Sequence, residues 1–132
     1  MIRFLSSVAV AAGLSLAAAG PALAAAADYV FEAVTKEVQA GYGATIDVRL
    51  IHTPSGKPAQ NAVIFDSRFD RGPHGRPDIV TYPTPADEVE PGVYRFKVDI
   101  SEAGRWALLL HAKVPGEPET VQGQMLITAA GR

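Results

Sequence analysis

The stretch from Pro91 to Val114, PGVYRFKVDISEAGRWALLLHAKV, decides the fold class. Residues 93–100 alternate between apolar and polar side chains, which is typical of a half-buried strand. Residues 106–114 carry a second apolar row, and their other face is half apolar, so this strand is expected to be covered on most of its length. Turn-forming residues separate the two segments. We therefore predict two antiparallel strands joined by a short turn.

On both sides of this pair the chain repeats the same kind of segment. Short runs at 29–38, 44–52, 62–69 and 120–129 are rich in β-branched and aromatic residues, and Gly- and Pro-rich turns separate them. In the run 62–69 we expect four side chains to share one face: Val63, Phe65, Ser67 and Phe69. This spacing predicts an all-β fold, an immunoglobulin-like antiparallel β-sandwich of about seven strands. Tyr94, after Gly92, resembles a tyrosine corner, whose hydroxyl bonds to nearby backbone.

The first residues indicate export. A basic start at Arg3 precedes an apolar run, and Ala22-Leu23-Ala24 forms a small-x-small cleavage site. We therefore predict a signal peptide at 1–24, a domain at 25–132 and a periplasmic protein with no stable membrane span after cleavage. An uncleaved membrane anchor is the alternative.

Composition limits the partners and the metal chemistry. The chain carries 12 basic and 14 acidic side chains, a formal net charge of −2, which argues against a nucleic-acid partner. It has no cysteine, so disulfides and thiolate metal sites are excluded.

The segment DRGPHGRPD at 70–78 holds the candidate binding residues. His74 lies between Asp70 and Asp78, and an imidazole with carboxylates suits Cu(II) or Zn(II). Arg68, just before this segment, forms a small basic loop with Arg71, His74 and Arg76, which suggests an anion or an acidic partner surface. The alternative is a solvated loop in which the histidine is exposed and the arginines pair with neighbouring carboxylates.

The other two histidines of the chain suggest a second candidate metal site. If the strands of His52 and His111 pair, the two imidazoles would form a second metal site; otherwise each is hydrogen-bonded near the core. No nucleophile elbow and no HExxH occurs in the sequence, so we predict that the protein is not an enzyme. Met125 is expected to fill the core.

Three segments carry a family resemblance: AGYGATIDVRL at 40–50, GKPAQNAVIF at 56–65, and the pattern PGxYxxxxxxxxxGxW at 91–106. Together they resemble the YtkA-like, or FixH-like, periplasmic domain. The resemblance implies an immunoglobulin-like sandwich found in copper handling, heavy-metal efflux or, for FixH, respiratory-oxidase assembly. In many relatives the loop after the third strand is rich in methionine, a soft ligand that suits Cu(I). Here Arg71 and Arg76 stand in that loop, which has no methionine.

These observations predict a non-enzymatic binding or accessory module, which the resemblance places in copper or heavy-metal homeostasis or efflux. The loop at 70–78 would be its binding element, with a copper or zinc ion as the implied cofactor. The alternative is a structural module that docks on an envelope transporter or a respiratory-oxidase assembly complex.

Overall fold

The computed structural model describes residues 26–131 and confirms the predicted all-β fold. Two 3-10 turns, Ala26–Asp28 and Gly72–His74, accompany the strands, and no helix in this part of the chain is long and apolar enough to cross a bilayer. The predicted signal peptide lies outside the described residues. The strands are β1 (Tyr29–Ala33), β2 (Glu37–Gln39), β3 (Gly41–His52), β4 (Lys57–Pro58), β5 (Val63–Arg71), β6 (Arg76–Thr81), β7 (Asp87–Glu90), β8 (Val93–Ile100), β9 (Gly104–Lys113) and β10 (Val121–Ala130).

The strands form two sheets. The first has the order β1-β3-β8-β7, with β4 paired to the end of β3, and the second has the order β2-β10-β9-β5-β6. Every pair is antiparallel except β2 with β10. This is the immunoglobulin arrangement, because β1, β3, β8 and β7 take the places of strands A, B, E and D in one sheet, and β5, β9 and β10 those of strands C, F and G in the other. The N-terminal strand is divided between the sheets: β1 belongs to the first sheet and β2 to the second.

The predicted hairpin between β8 and β9 is wrong. β8 lies between β3 and β7 in the first sheet, whereas β9 lies between β10 and β5 in the second. Residues 101–103 therefore cross from one sheet to the other. The buried faces were predicted correctly, since the apolar rows of both strands face the core. A period of two shows which side of a strand is buried and does not show which strand is its neighbour.

The core between the sheets holds the aromatic residues of the predicted strands. Phe69 and Trp106 stack with ring centroids 4.8 Å apart and an interplanar angle of 5°. Met125 is buried, as predicted for a core residue. The largest fully buried side chains are Trp106, Tyr94, Phe69, Phe96, Ile46, Leu50, Leu108, Leu110, Ile127, Val48 and Val121. Such packing lets a cysteine-free domain stabilise itself by burial of apolar surface.

Tyr94 ties the core to the connection between β4 and β5. Its hydroxyl donates to the Ala59 carbonyl (2.7 Å) and accepts from the Ala62 amide (3.0 Å). Burial raises the pKa of this phenol. The resemblance to a tyrosine corner holds in that the hydroxyl binds backbone, but the carbonyl it binds lies 35 positions away instead of a few. Glu88 anchors the same connection by accepting from the amides of Asn61 and Gly92, at 2.9 Å each.

The predicted common face of the run 62–69 is only partly right. A β-bulge between Ile64 and Asp66 leaves Phe65 without a cross-strand partner. Val63 and Phe65 consequently point outward, 62% and 55% exposed, while Phe69 is fully buried. One extra residue in a strand shifts every following side chain to the other face, which sequence alternation alone cannot reveal.

Candidate functional site

The predicted loop at 70–78 is a tight turn at one end of the sandwich. β5 continues through Arg71, the turn Gly72–His74 follows, and β6 begins at Arg76. Gly75 closes the turn with φ of 73°, a left-handed conformation that glycine adopts without strain. The sheet-crossing residues 101–104 lie at the same end. We call residues 70–78 together with 101–104 the crossover end.

Arg71 is buried in the crossover end and 7% exposed. Its Nη1 donates to the Ala103 carbonyl and lies 3.5 Å from a Glu102 carboxylate oxygen. Its guanidinium carbon is 5.6 Å from the centre of the Trp106 ring, within range of a cation–π interaction. A Cβ at Gly104 would collide with this guanidinium. Arg71 therefore fastens the sheet-crossing segment to β5, whereas Arg76 is exposed.

Asp70 is buried, and both of its carboxylate oxygens accept hydrogen bonds. One carboxylate oxygen accepts from Arg68 Nε (2.8 Å) and the other from the Gly72 amide (2.7 Å). Arg68 also donates to the Pro77 carbonyl at 3.0 Å. The hydrogen bond to Asp70 is the main cause of a raised pKa at Arg68. The pairing of arginine with neighbouring carboxylates, one of the two alternatives for this segment, is thus present at Arg68.

His74 and Asp78 are both exposed. The Nε2 atom of His74 accepts a hydrogen bond from the Arg105 amide at 3.2 Å. Within residues 26–131, no three His, Cys, Asp or Glu side chains are grouped so that they could hold a metal ion. The structure therefore does not bring His74, Asp70 and Asp78 together as a three-ligand centre. Binding of copper or zinc at His74 stays a prediction.

The two other histidines lie in different sheets, so the proposed two-imidazole site is wrong. His52 Nδ1 is 2.7 Å from the Ser55 hydroxyl. His111 Nδ1 is 3.3 Å from Asp66, on the outer side of the second sheet. The site required pairing between β3 and β9, which the sandwich prevents.

A cleft of about 370 Å³ adjoins the crossover end, where β6 approaches the ends of β3 and β8. Its walls include Val80, Ser101 and Trp106. A register shift after Gly41 pushes Tyr42 to its rim, 92% exposed. The sequence reasoning missed this cleft, and the only signal for it was a tyrosine flanked by glycines.

The outer face of the second sheet carries exposed apolar side chains among charged ones. Three of the seven large exposed hydrophobic side chains described for residues 26–131 lie on its strands, Val63, Phe65 and Leu126, and a fourth, Tyr82, directly follows β6. The ion pairs Arg68–Asp70 and His111–Asp66 lie on the same face. Two shallow hollows of about 230 and 410 Å³ both have Leu109 and Gln124 in their walls, and the larger one also has Leu126. We call this surface the apolar face; its residues are Val63, Phe65, Tyr82, Leu109 and Leu126.

Two cations flank the apolar face. Arg105 and Lys113 lie at opposite ends of β9, on the same outer side as Leu109, and both are exposed. At ~3.4 Å per residue their Cα atoms are about 27 Å apart. Within residues 26–131 neither makes an ion pair.

The outer face of the first sheet is charged instead. Arg95 forms a two-pronged ion pair with Asp47, at 2.8 and 3.0 Å. The hydrogen bond to Asp47 raises the pKa of Arg95. Arg49 lies 3.9 Å from Glu32 on the neighbouring strand.

The YtkA-like family model matches residues 23–111, which is more than half of the chain. The chain belongs to the YtkA-like family. The matched segment includes the PGxYxxxxxxxxxGxW pattern and ends before β10. The closer likeness to FixH stays a resemblance. No curated protein sequence matches this YtkA-like chain.

Two solved structures are similar to this chain at low sequence identity. One is FdeC, described as a broadly conserved Escherichia coli adhesin, with 17% identity and a TM-score of 0.47 over 79% of this chain and 32% of that one. The other is a DUF4785 family protein from Legionella pneumophila, with 13% identity and a TM-score of 0.45 over 76% of this chain and 27% of that one. The chain thus spans about a third or less of either protein's length.

Proposed function

We propose that this YtkA-like chain is an exported, non-enzymatic accessory module of the periplasm that docks on an envelope complex through its apolar face. The distribution of exposed apolar side chains carries the proposal. Four of the seven exposed hydrophobic side chains described for residues 26–131 lie on or beside the outer side of the second sheet, next to the ion pairs Arg68–Asp70 and His111–Asp66. The outer side of the first sheet carries the ion pairs Arg95–Asp47 and Arg49–Glu32. Clustered apolar surface on a soluble domain marks an interaction site more often than scattered apolar residues do.

The charges around the apolar face define the partner's chemistry. Arg105 and Lys113 stand at its two ends in a chain whose net charge is −2. A complementary partner presents an apolar patch with carboxylates at its rim, because opposite charges at a rim orient the encounter. The family resemblance names the candidates: an envelope transporter or a respiratory-oxidase assembly complex.

Site-specific photo-crosslinking in the native envelope tests this proposal. A photoreactive side chain at Phe65 should give an adduct with one envelope protein, and Leu126→Arg should abolish that adduct. The matched control carries the same group at Lys97, which is exposed on the charged sheet. Adducts of the same protein from both positions, or adducts that survive Leu126→Arg, would contradict docking through the apolar face.

Metal binding is the second candidate, since His74 stays open to solvent at the crossover end. An ion there would have to compete with the Arg105 amide for Nε2, or bind through Nδ1. Titration of Cu(II) and Zn(II) by calorimetry should show heats that His74→Ala removes, together with a metal-dependent rise in melting temperature. Equal heats for both proteins would eliminate this candidate.

The proposed location has its own test. Cleavage after Ala24 predicts that the purified protein begins at Ala25 and is recovered in the periplasmic fraction. N-terminal sequencing that finds Met1 retained would contradict export with cleavage.

A further inference from the structure

The cleft beside the crossover end lies where β6, the edge of the second sheet, approaches the end of β8 in the first sheet. Its volume of about 370 Å³ is within the range of small-molecule sites, roughly 300–1,000 Å³. β6 supplies Val80 and Thr81 to its walls, and the end of β8 supplies Asp99 and Ile100. Ile100 and Trp106 are 3% and 1% exposed, so the cleft reaches down to the core between the sheets.

A strand irregularity holds Tyr42 at the rim of this cleft. The register between β3 and β8 shifts between Gly41 and Ala44, and Gly41 and Gly43 have φ of 143° and 65°, which glycine adopts without strain. Such a bulge re-aims the side chain it carries, and Tyr42 is consequently 92% exposed. The Gly43 amide donates to an Asp99 carboxylate oxygen at 2.9 Å, which ties the bulge to β8. Two glycines thus keep an aromatic ring in solvent, where it adds nothing to the core.

Hydrogen-bonding groups line the same cleft. Thr81 and Ser101 contribute hydroxyls. The amide and carbonyl of Lys97 both bond to Thr84, so by alternation the amide and carbonyl of Asp99 point to that same side of β8. Within residues 26–131, β7 covers this side of β8 only opposite residues 93–95, so the backbone of Asp99 has no strand neighbour there. A ligand in the cleft therefore finds two hydroxyls, a backbone donor and a backbone acceptor.

The charges of the walls decide the class of ligand. Asp99 is the only charged residue among the walls described for residues 26–131, so an anion would meet a carboxylate and no cation. A cation gains little, because one oxygen of that carboxylate already accepts from Gly43 and Lys97 lies two positions away on the same face of β8. Apolar walls combined with uncharged donors and acceptors suit a neutral molecule that has an apolar face and several hydroxyls. A sugar ring has this form, since its C–H groups lie on its faces and its hydroxyls lie around its edge.

We propose that the cleft binds a saccharide, with the apolar face of one sugar ring packed on Tyr42 and its hydroxyls bonded to Thr81, Ser101 and the backbone of Asp99. Tyrosine suits this contact, because its ring is large and amphipathic and loses little conformational freedom on binding. None of these residues belongs to the apolar face, so the inference does not depend on the proposed docking function. It also does not depend on metal binding at His74, which is not in the walls of the cleft.

Fluorescence of Trp106 tests this proposal, because it is the single tryptophan of the chain and forms part of the cleft. Protein purified after expression of the full-length chain is titrated with a tetrasaccharide of glucose and with a tetrasaccharide of N-acetylglucosamine. At least one of them should change the emission saturably, with a Kd of ~1 mM or lower. The two probes distinguish recognition through hydroxyls alone from recognition that needs an acetamido group. Glycerol, which has hydroxyls but no apolar face, should give no saturable change.

Two exposed tyrosines provide the matched comparison. Tyr42→Ala should raise the Kd at least ~5-fold, because truncating an aromatic anchor removes its packing on the ligand. Its melting temperature should not change, since the ring is 92% exposed. Tyr82→Ala removes a tyrosine that is 66% exposed and lies outside the walls of the cleft, and it should bind as wild type does. Ser101→Ala should raise the Kd ~3-fold through the loss of one neutral hydrogen bond.

The absence of a saturable emission change with either tetrasaccharide, up to tens of millimolar, would overturn the proposal. Equal losses of affinity in Tyr42→Ala and Tyr82→Ala would overturn it as well. Photo-crosslinking from Phe65 is independent of both results, so failure of saccharide binding and failure of docking can be told apart.

Discussion

The two outer faces of the sandwich both carry ion pairs and differ in the exposed apolar side chains that accompany them. On the first sheet, Asp47 and Arg95 pair across neighbouring strands, and every outward position from 95 to 99 is charged. On the second sheet, Phe65 and Leu126 stand in solvent around the partly buried Leu109. Neither outer face is needed to enclose the core, because both inward faces already do so. The side chains that form the core and those proposed for docking therefore lie on different sides of the same strands.

The largest effect on the free energy of unfolding should come from truncating an inward-facing aromatic residue. Truncation of an outward-facing aromatic residue on the same strand is the comparison. Phe69→Ala removes a fully buried ring stacked on Trp106 and should lower the free energy of unfolding by ~3–5 kcal/mol. Phe65→Ala, four positions earlier and 55% exposed, should change it by less than ~0.5 kcal/mol. Urea denaturation of both variants measures the difference. Similar losses would mean that the apolar face is part of the core.

Removal of a tyrosine hydroxyl tests the same difference between inward-facing and outward-facing side chains. Tyr94→Phe leaves the Ala59 carbonyl and the Ala62 amide without their partner and should cost ~1–3 kcal/mol. Tyr82→Phe, on the apolar face and 66% exposed, should cost almost nothing. Thermal melts of the pair provide the measurement, and a Tyr94→Phe protein as stable as wild type would refute the role given to this hydroxyl.

The ion pair between Asp47 and Arg95 should contribute less to the free energy of unfolding than the buried Phe69 ring or the Tyr94 hydroxyl. Asp47→Asn breaks the two-pronged pair with Arg95, whose side chain is 47% exposed, and should cost about 0.2–1 kcal/mol. Raising the salt concentration to ~1 M should reduce that difference, since exposed charges are screened. A loss that is large and independent of salt would show that this face stabilises the domain by more than surface pairing.

The last prediction concerns the pKa of Tyr29, whose hydroxyl links the two sheets at the end opposite the crossover end. Burial, helped by donation to Glu117 at 2.8 Å, raises the pKa of Tyr29 from 10.0 to about 12. Because the folded pKa is the higher one, the stabilisation is complete below pH ~10 and is lost as pH rises towards ~12. An absorbance titration of tyrosinate should show late titration of two groups in the native protein, because burial also raises the pKa of Tyr94. Tyr29→Phe should show one late-titrating group fewer, and an unchanged number would reassign the shift to another tyrosine.

The sequence predicted the buried faces of the sandwich better than its connections. The alternation in 93–100 and the apolar row from Trp106 placed the right side chains in the core. The pairing of those strands was wrong, because two strands that face each other across a core show the same alternation as two that are hydrogen-bonded. The bulge at Phe65 was also invisible, since its exposed phenylalanine looks like a core residue in the sequence.

The sequence reasoning singled out residues 70–78 as the candidate site but did not reveal how their side chains are arranged. Asp70 and Arg71 look like loop residues because they are charged, yet both are buried and hydrogen-bonded at the end of β5. Their partners lie partly in residues 102–103, some thirty positions further on, and no local pattern encodes that approach. The apolar face was missed for a related reason: Phe65, Tyr82 and Leu126 come from three separate segments, which only the folded sheet brings to one side.

The splitting of the first strand between two sheets has a kinetic consequence. β2 completes the second sheet by pairing with residues 128–130, and Gln39 donates to the Gly131 carbonyl across 92 positions. Such distant partners must find each other after much of the chain has already collapsed, which makes folding slow compared with that of a helical domain of similar size. Folding of the second sheet therefore cannot be completed before residues 128–131 have been synthesised and have left the ribosome.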